Sequence, residues 1–404
     1  MMLKLIERDT YMNRLRRLKG TPDIKIMTGI RRCGKSELLR ELMRDLQEND
    51  PESNIIYIDY ADLQFDDLKT YKALYQYVEQ HWQQDKNNYL FVDEVQLCEQ
   101  FELAINSFYN SRKYDIYITG SNAFLLSSDL ATLFTGRYIE IPVYPFSFSE
   151  YSDYFSGEGT RDELFDRYVI EGGLAGSYVY NNSEDKIAYV NDIYTTIVTR
   201  DLVQKYNIPD TVVLDRLSRY MMDNISNLTS INKISGTLSN GKLETNHVTI
   251  GQYMKYLCQA FMFYEVTRYD IKGKTYLKTI SKYYLCDLSL RYALLGMRNM
   301  DYGRAYENLV MLELKRRGYE FYVGKLYQSE VDFIAMKSSR KVYIQVSDDI
   351  SSSETLEREL APLRGIKDSY PKALIARTRH PMYDVEGIIV VDLVRWLLDE
   401  DKAW

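Results

Sequence analysis

Four residues near the start of the chain, Gly29, Gly34, Lys35 and Ser36, have the types and spacing of a phosphate-binding loop. They match the pattern G-x-x-x-x-G-K-[ST], in which a glycine-rich loop turns its backbone N–H groups toward phosphate. A strand-like apolar segment precedes the loop, and a segment with apolar residues at helical spacing follows it, as the pattern requires. The sequence therefore predicts a nucleotide phosphate site, with an ordinary glycine-rich turn as the alternative.

The residue types in this loop predict separate roles. Lys35 is expected to reach the β- and γ-phosphates, and the Ser36 hydroxyl is expected to bind Mg²⁺. The start of the following helix adds a dipole that favours negative charge. The residues predicted to hold the nucleotide are Gly29, Arg31, Arg32, Cys33, Gly34, Lys35, Ser36 and Glu37.

Two adjacent acids, Asp93 and Glu94, end the apolar segment YLFVDEV. A carboxylate at the end of a buried strand can hold Mg²⁺, and the next one can polarise an attacking water. On its own, such a pair is typical of a solvated strand end. With the phosphate loop upstream, the pair predicts a metal ligand at Asp93 and a catalytic carboxylate at Glu94.

The composition is that of an ordinary soluble chain, with 404 residues, 45% of them apolar and 27% charged. Because no apolar run approaches the length of a membrane span and the start lacks a signal-peptide core, we expect a cytoplasmic protein without membrane contact. Four scattered cysteines and three histidines suggest neither a disulfide framework nor a zinc site.

Four regions follow from the order of predicted elements. Residues 1–150 alternate strands and helices, which predicts an α/β domain with a parallel sheet and helices on both faces. Residues 151–210 are expected to form a helical connector. Residues 211–300 have the pattern of a winged helix, with three short helices and a hairpin. Residues 301–404 return to an α/β pattern.

The winged-helix region differs in charge from the rest of the chain. Residues 211–290 contain ten lysines and arginines against six acids, whereas the whole chain has a net charge of −7. We therefore expect DNA to contact this region, through the helix around Thr249 to Gln259 and a basic hairpin that carries Lys272, Lys274 and Lys278. Docking of a protein partner is the alternative.

The order of motifs resembles that of prokaryotic AAA-family ATPases whose C-terminal half is a domain of unknown function. The resemblance covers nearly the whole chain and includes an additional strand between the loop strand and the strand that bears Asp93. It implies ATP and Mg²⁺ as cofactors, and ATP hydrolysis. After the acidic strand, the matching motifs are TGSN, GRY, PFSFSEY and TTIVTRDL.

The same resemblance implies two further catalytic residues. Asn122, or Ser121 beside it, matches the polar sensor of the γ-phosphate, for which a helix cap is the alternative. Arg137 matches an arginine that acts on nucleotide within its own subunit or across an interface of an oligomer. A surface salt bridge is the alternative for Arg137.

The last region resembles the restriction-nuclease-like pattern. Glu307 corresponds to a helix acid and Asp332 to the acid of SEVDFIAM, but Gln345 and Ser347 stand where an E-x-K triplet is expected. A neutral amide replaces a metal ligand, and a serine replaces the lysine that helps to activate water. The resemblance therefore implies a nuclease fold without nuclease activity.

Three functional hypotheses remain open from the sequence. The first is a Mg²⁺-dependent ATPase that couples nucleotide state to a nucleic-acid or protein partner bound by the C-terminal half. The second is an ATP-dependent switch with negligible turnover. The third is an ATP-gated DNA nuclease, which needs a displaced lysine; Lys337 and Lys341 are the nearest in sequence, although both flank a turn and are expected to face solvent.

Overall fold

In the computed structural model, which describes residues 5–121, 134, 136–240, 245–297 and 300–399, the chain divides into two units. The first comprises Met1–Pro145 with Gln259–Phe261, and the second comprises Phe146–Cys258 with Met262–Trp404.

The first unit contains a five-stranded sheet in the order β2-β3-β4-β1-β5, in which every pairing is parallel. The predicted α/β class, with a parallel sheet flanked by helices, is confirmed. The strands are β1 (Ile24–Thr28), β2 (Asn54–Asp59), β3 (Asn88–Asp93), β4 (Tyr114–Gly120) and β5 (Tyr138–Pro142), and the helices are α1 (Asp9–Leu18), α2 (Lys35–Asn49), α3 (Tyr71–His81) and α4 (Phe101–Ser111).

Complete burial distinguishes β1 and β3 from the other strands of this sheet. Every residue of both strands is buried, and each strand lies between two others. Strands covered on both faces form continuous apolar runs instead of alternating with polar residues. As the strands are parallel, the loop after β1 and the acids at the end of β3 lie at the same edge of the sheet.

The second unit begins with helices and ends in a mixed sheet of nine strands, in the order β13-β14-β12-β11-β10-β9-β7-β8-β6. Its first helices are α5 (Phe148–Tyr154), α6 (Arg161–Glu171) and α7 (Ser183–Thr196), which continues into a π-helix over Ile197–Gln204. They are followed by α8 (Thr211–Asp223), β6 (Leu228–Thr229), α9 (Ile231–Asn240), α10 (His247–Gln259), β7 (Phe263–Asp270), β8 (Thr275–Leu285) and α11 (Leu288–Leu295).

The hairpin strand β7 also pairs, in parallel, with a strand of the C-terminal region. One sheet therefore contains strands from both of the stretches 211–300 and 301–404. The C-terminal elements are α12 (Tyr302–Arg316), β9 (Glu320–Leu326), β10 (Ser329–Lys337), β11 (Arg340–Ser347), α13 (Ser353–Arg364), β12 (Lys372–Ala376), β13 (Tyr383–Val385), β14 (Ile388–Asp392) and α14 (Leu393–Leu397).

The turn between β7 and β8 contains the predicted Lys272 and Gly273. The Asp270 carboxylate accepts hydrogen bonds from the backbone N–H groups of both residues, at 3.0 and 2.8 Å. An aspartate that binds the backbone two and three residues ahead stabilises a tight turn.

Within the described ranges, no helix has the length and apolar character that a membrane span needs.

Candidate nucleotide-binding site

The loop between β1 and α2 approaches the chain after β5 so closely that Gly29 has no room for a side chain. A Cβ atom at Gly29 would lie 2.1 Å from the Val143 carbonyl oxygen, and the residue has φ +147°. Gly34, with φ +102°, directly precedes α2. Both glycines therefore stand where the backbone itself excludes other residues.

Lys35 holds its ammonium over the loop. The side chain is 4% exposed, and its Nζ donates to the carbonyl oxygens of Gly29 and Ile30 at 2.9 and 3.1 Å. Gly34, the cap position of α2, offers no side chain to the N–H groups of the first turn. Such an end, with a lysine beside it, has the donors and charge that bind phosphate.

Asp93 lies at the end of β3 with two hydroxyl groups around it. The side chain is 1% exposed, and the Thr119 hydroxyl donates a hydrogen bond to its Oδ1. Burial raises the pKa of the Asp93 carboxyl, while hydrogen bonds from Ser36 and Thr119 oppose the rise. The structure thus brings together Ser36 and Asp93, the two predicted Mg²⁺ ligands.

Glu94 follows directly and has a left-handed backbone, with φ 51° and ψ 46°. Its N–H donates to the Thr119 hydroxyl oxygen at 3.0 Å, and its carboxylate accepts a hydrogen bond from the Gln96 amide. A positive φ is uncommon at a glutamate and is found at strained functional positions. Thr119 therefore contacts both acids of the predicted pair and holds them in one arrangement.

The other predicted loop residues differ in their surroundings. Cys33 is buried, with its Sγ 4.0 Å from the Lys35 Nζ, whereas Arg31 is half-buried and Arg32 is exposed with φ 67°. The exposed Glu37 carboxylate forms an ion pair with Arg40 at 2.5 Å. Glu37 therefore contributes to the N-terminal end of α2 through its backbone and not through its side chain.

One residue of this site was missed in the sequence. The buried guanidinium of Arg8 donates to the carbonyl oxygens of Cys33, at 3.1 Å, and Tyr144, at 3.0 Å. Its Nη1 also lies 3.6 Å from where a Cβ of Gly34 would be. Arg8 thereby fastens the loop to the segment after β5 and adds positive charge next to it. No local pattern marks an arginine so far from the loop in sequence.

The predicted sensor lies partly outside the described residues, because Asn122 is not among them. Ser121, the second candidate, is buried directly after β4, the strand between β1 and β3. Among the described residues, its hydroxyl has no hydrogen-bond partner. An unpaired hydroxyl at this edge is the kind of group that a phosphate oxygen satisfies.

Arg137 is not brought to the loop. It directly precedes β5, and its carbonyl oxygen accepts from the N–H of Ile24 at the start of β1, whereas the loop follows the end of β1. Five extended residues separate these two edges by about 16 Å. The guanidinium instead donates to Asn106 at 3.3 Å and lies over the ring of Tyr109 at 5.5 Å. This geometry gives no support to a role within its own subunit, and a role across an interface stays a prediction.

A second group of acids, of which Glu307 and Asp332 are buried and Glu330 is half-buried, lies in the C-terminal region. Glu307, Glu330 and Asp332, which we call the carboxylate cluster, surround the ammonium of Lys282 at 2.8, 2.7 and 3.2 Å. Glu307 and Asp332 were predicted from the sequence, whereas Lys282, which lies on the hairpin strand β8, was not.

The residues that replace the E-x-K triplet have other partners. The Gln345 amide accepts from the Asp332 N–H at 3.4 Å and donates to Glu359 at 3.2 Å, and the Ser347 hydroxyl donates to the Asp349 carbonyl oxygen. The two lysines nearest in sequence are not the lysine of the cluster: Lys337 donates to the Arg317 carbonyl oxygen, and Lys341 lies 3.7 Å from Asp368.

Comparisons with known proteins agree with the geometry of the first unit. A family model described as an AAA domain matches residues 21–152, and a domain of unknown function, DUF8612, matches residues 162–301. Among solved structures, the Aeropyrum pernix Orc1 protein in complex with DNA aligns with a TM-score of 0.32 and 13% identity, over 72% of this chain and 92% of that chain. A similarity this low supports no statement about function.

Two relatives match most of the chain, and both are described as uncharacterized. Protein MJ1544 of Methanocaldococcus jannaschii is 26% identical over 388 residues, which are 91% of this chain and 84% of the relative. A protein of Haemophilus influenzae is 36% identical over 399 residues, which are 98% of this chain and 99% of the relative. The chain therefore belongs to the family of the Haemophilus influenzae protein, and its residues 21–152 form an AAA domain.

Proposed function

We propose that this protein is a Mg²⁺-dependent ATPase that couples nucleotide state to a partner bound by its C-terminal half. The observation that carries the proposal is the meeting of the loop and the acidic strand: Ser36, from the first turn of α2, hydrogen-bonds Asp93 at the end of β3. These are the two side chains from which a P-loop enzyme builds its metal site.

The residues present fit ATP and Mg²⁺. The uncapped first turn of α2 and the Lys35 ammonium supply donors and positive charge for the phosphates, and the missing side chain at Gly29 lets the backbone lie close. Ser36 and Asp93 would hold the metal, which neutralises charge on the phosphates when bound. A cation there also favours the ionised form of Asp93, whose pKa burial raises.

Glu94 would orient and polarise the attacking water. We expect Glu94→Gln to lower turnover by roughly 100-fold or more, because general-base catalysis contributes about that much, while ATP still binds. Steady-state phosphate release and binding of a fluorescent ATP analogue measure the two effects. The matched control is Glu99→Gln, which removes an exposed carboxylate of the same unit and should leave phosphate release unchanged. Unchanged phosphate release in Glu94→Gln would refute the assignment.

The wild-type rate separates the ATPase from the switch. Phosphate release should exceed that of Lys35→Ala, and it should change when the partner binds. If wild type and Lys35→Ala release phosphate equally slowly while only wild type binds ATP, the protein is a nucleotide-dependent switch.

The hairpin of the second unit favours nucleic acid as the partner. Three tyrosine rings from neighbouring strands contact one another: Tyr269 on β7, Tyr276 on β8 and Tyr322 on β9. The ring centroid of Tyr276 lies 5.2 Å from that of Tyr269 and 5.0 Å from that of Tyr322, and Tyr276 is 58% exposed. The exposed Lys272 in the turn lies over the ring of Tyr327 at 4.6 Å. Rings that stack on bases beside lysines that contact phosphates are the usual means of binding nucleic acid without sequence preference.

A protein partner is the second candidate, because two apolar side chains at the starts of neighbouring helices face solvent. Val248 on α10 is 68% exposed and Ile231 on α9 is 38% exposed. The Ile231 side chain lies 3.3 Å from where a Cβ of Gly251, one turn after Val248, would be, and exposed apolar side chains that lie together mark protein interaction sites.

Fluorescence anisotropy at low salt tests the nucleic-acid candidate with single-stranded and duplex DNA. We expect Lys272→Gln with Lys274→Gln to weaken binding and to reduce the salt dependence by about two phosphate contacts. The control is Arg379→Gln. Arg379 is exposed and follows β12, which three other strands of the same sheet separate from β7. Binding that is absent, or that does not respond to salt, excludes this candidate and leaves the protein partner.

A further inference from the structure

The Lys282 ammonium forms ion pairs with all three acids of the carboxylate cluster and donates hydrogen bonds to Glu307 and Asp332. An ammonium has three donors, and its Nζ lies within 3.2 Å of Glu307, Glu330 and Asp332, one oxygen from each. The side chain is 3% exposed. Because it extends from a strand that pairs with β7, the ammonium is held in place by the sheet.

Two of the three acids also have partners other than the lysine. The Tyr284 hydroxyl donates to Glu307 at 2.6 Å, and the Val346 N–H donates to the second oxygen of Asp332 at 3.0 Å. Carboxylate oxygens from separate elements, fixed around one point, are the ligand type that Mg²⁺ and Mn²⁺ prefer. The point that these oxygens surround contains the Lys282 ammonium.

Charge keeps the ammonium protonated. Burial alone lowers the pKa of Lys282, but Glu307, Asp332 and Glu330 outweigh burial and raise it above the ordinary value. A divalent ion bound to the same oxygens would lie next to this ammonium and be repelled by it. The lysine is covalently attached, so its local concentration exceeds that of any free ion.

Access does not explain the exclusion of metal ions. A cleft of about 660 Å³ is lined by Lys282, Glu307 and Glu330, together with polar residues such as Asn227 and Ser230. A hydrated ion can therefore reach the cluster from solvent. In the described ranges, with Lys282 in place, no group of three or more Asp, Glu, His or Cys side chains is arranged to hold a metal ion.

We propose that the Lys282 ammonium is the resident cation of the carboxylate cluster and excludes divalent metal ions from it, so that removing the lysine opens a site for one Mn²⁺ ion. Lys282→Met removes the only cation that lies within 4 Å of all three carboxylates in the described chain, and it leaves no positive charge between them.

The test is a Mn²⁺ titration of the full chain without nucleotide, in which electron paramagnetic resonance measures free Mn²⁺. The variants are wild type, Asp332→Asn, Lys282→Met and Lys282→Met with Asp332→Asn. We expect Lys282→Met to bind one more Mn²⁺ than wild type and the double variant to lose it. Wild type and Asp332→Asn should bind equally, since any Mn²⁺ at the nucleotide site is common to both.

Two results would overturn the proposal. If wild type binds more Mn²⁺ than Asp332→Asn, a metal shares the cluster with the lysine. If folded Lys282→Met binds no more than wild type, the acids are no cation site.

A second readout covers a Lys282→Met variant that is too unstable to titrate. Its unfolding temperature should rise in Mn²⁺ more than that of wild type, and the rise should vanish in the double variant. Equal shifts in all three proteins would equally reject the proposal.

Discussion

The Asp93 site and the carboxylate cluster differ in what the lysine at each site binds. We call the edge of the first sheet that carries the phosphate loop and Asp93 the nucleotide edge. There, Lys35 donates to the carbonyl oxygens of Gly29 and Ile30, and the partners of Asp93 are the hydroxyls of Ser36 and Thr119. In the carboxylate cluster, Lys282 donates to the acids themselves.

This difference shows how a protein reserves an acid for a metal. Hydroxyl groups satisfy a buried carboxylate without neutralising it, so its charge remains available to a cation from solvent. An ammonium satisfies the carboxylates that it contacts and also offsets one unit of their negative charge. We infer that the charge of the hydrogen-bond donor, more than the number of acids, determines whether such a site takes a metal.

The largest effect that would sharpen this comparison is on stability. Lys282→Ala should cost about 3–5 kcal/mol in the free energy of unfolding, because it leaves buried carboxylates without their counter-ion. Urea unfolding followed by circular dichroism measures the loss. Lys367→Ala, an exposed lysine of the same unit, should change stability by less than about 0.5 kcal/mol. Equal effects of the two substitutions would show that Lys282 holds nothing together.

Lys35→Ala should act on binding instead. Losing a cation that pairs with phosphate costs about 1.5–3 kcal/mol, so we expect ATP affinity to fall roughly 10- to 100-fold. Isothermal titration calorimetry gives the affinity, with the exposed Lys72→Ala as the control. The comparison breaks if Lys35→Ala destabilises the fold as much as Lys282→Ala does.

Thr119→Val should have the smallest effect. It removes a hydroxyl that donates to Asp93 and accepts from Glu94, and a buried acceptor left without one donor costs about 1–3 kcal/mol. We expect turnover to fall roughly tenfold and more Mg²⁺ to be needed for half-maximal rate. Phosphate release at a series of Mg²⁺ concentrations tests this. Ser111→Ala, which removes a hydroxyl that donates to the Phe108 carbonyl oxygen, should leave both values unchanged.

Local patterns were enough to predict the nucleotide edge. The buried runs of β1 and β3, the spacing from Gly29 to Ser36 and the acid at Asp93 all lie within short stretches of sequence, and parallel pairing brings them to one edge. The α/β class follows from the same alternation.

Long-range partners were beyond those patterns. Lys282 joins acids that lie 25 to 50 residues further along the chain, and β7 pairs with β9, which belongs to a different predicted region. Arg137 matched a family position, but a motif alone does not show at which end of β5 its side chain lies. No sequence pattern identifies Arg8, because its role is to donate hydrogen bonds to two backbone carbonyl oxygens that lie far from it in sequence.

The two hydrogen bonds of Arg8 also determine when the phosphate loop can be fully anchored during protein synthesis. The guanidinium joins carbonyl oxygens that lie 25 and 136 residues further along the chain. The ribosome makes Tyr144 last, so a nascent chain that already contains the whole phosphate loop still lacks one of its two anchors. Contacts between such distant residues form late in folding. The phosphate loop of a growing polypeptide therefore has both of its anchors only when nearly the entire AAA domain has been translated.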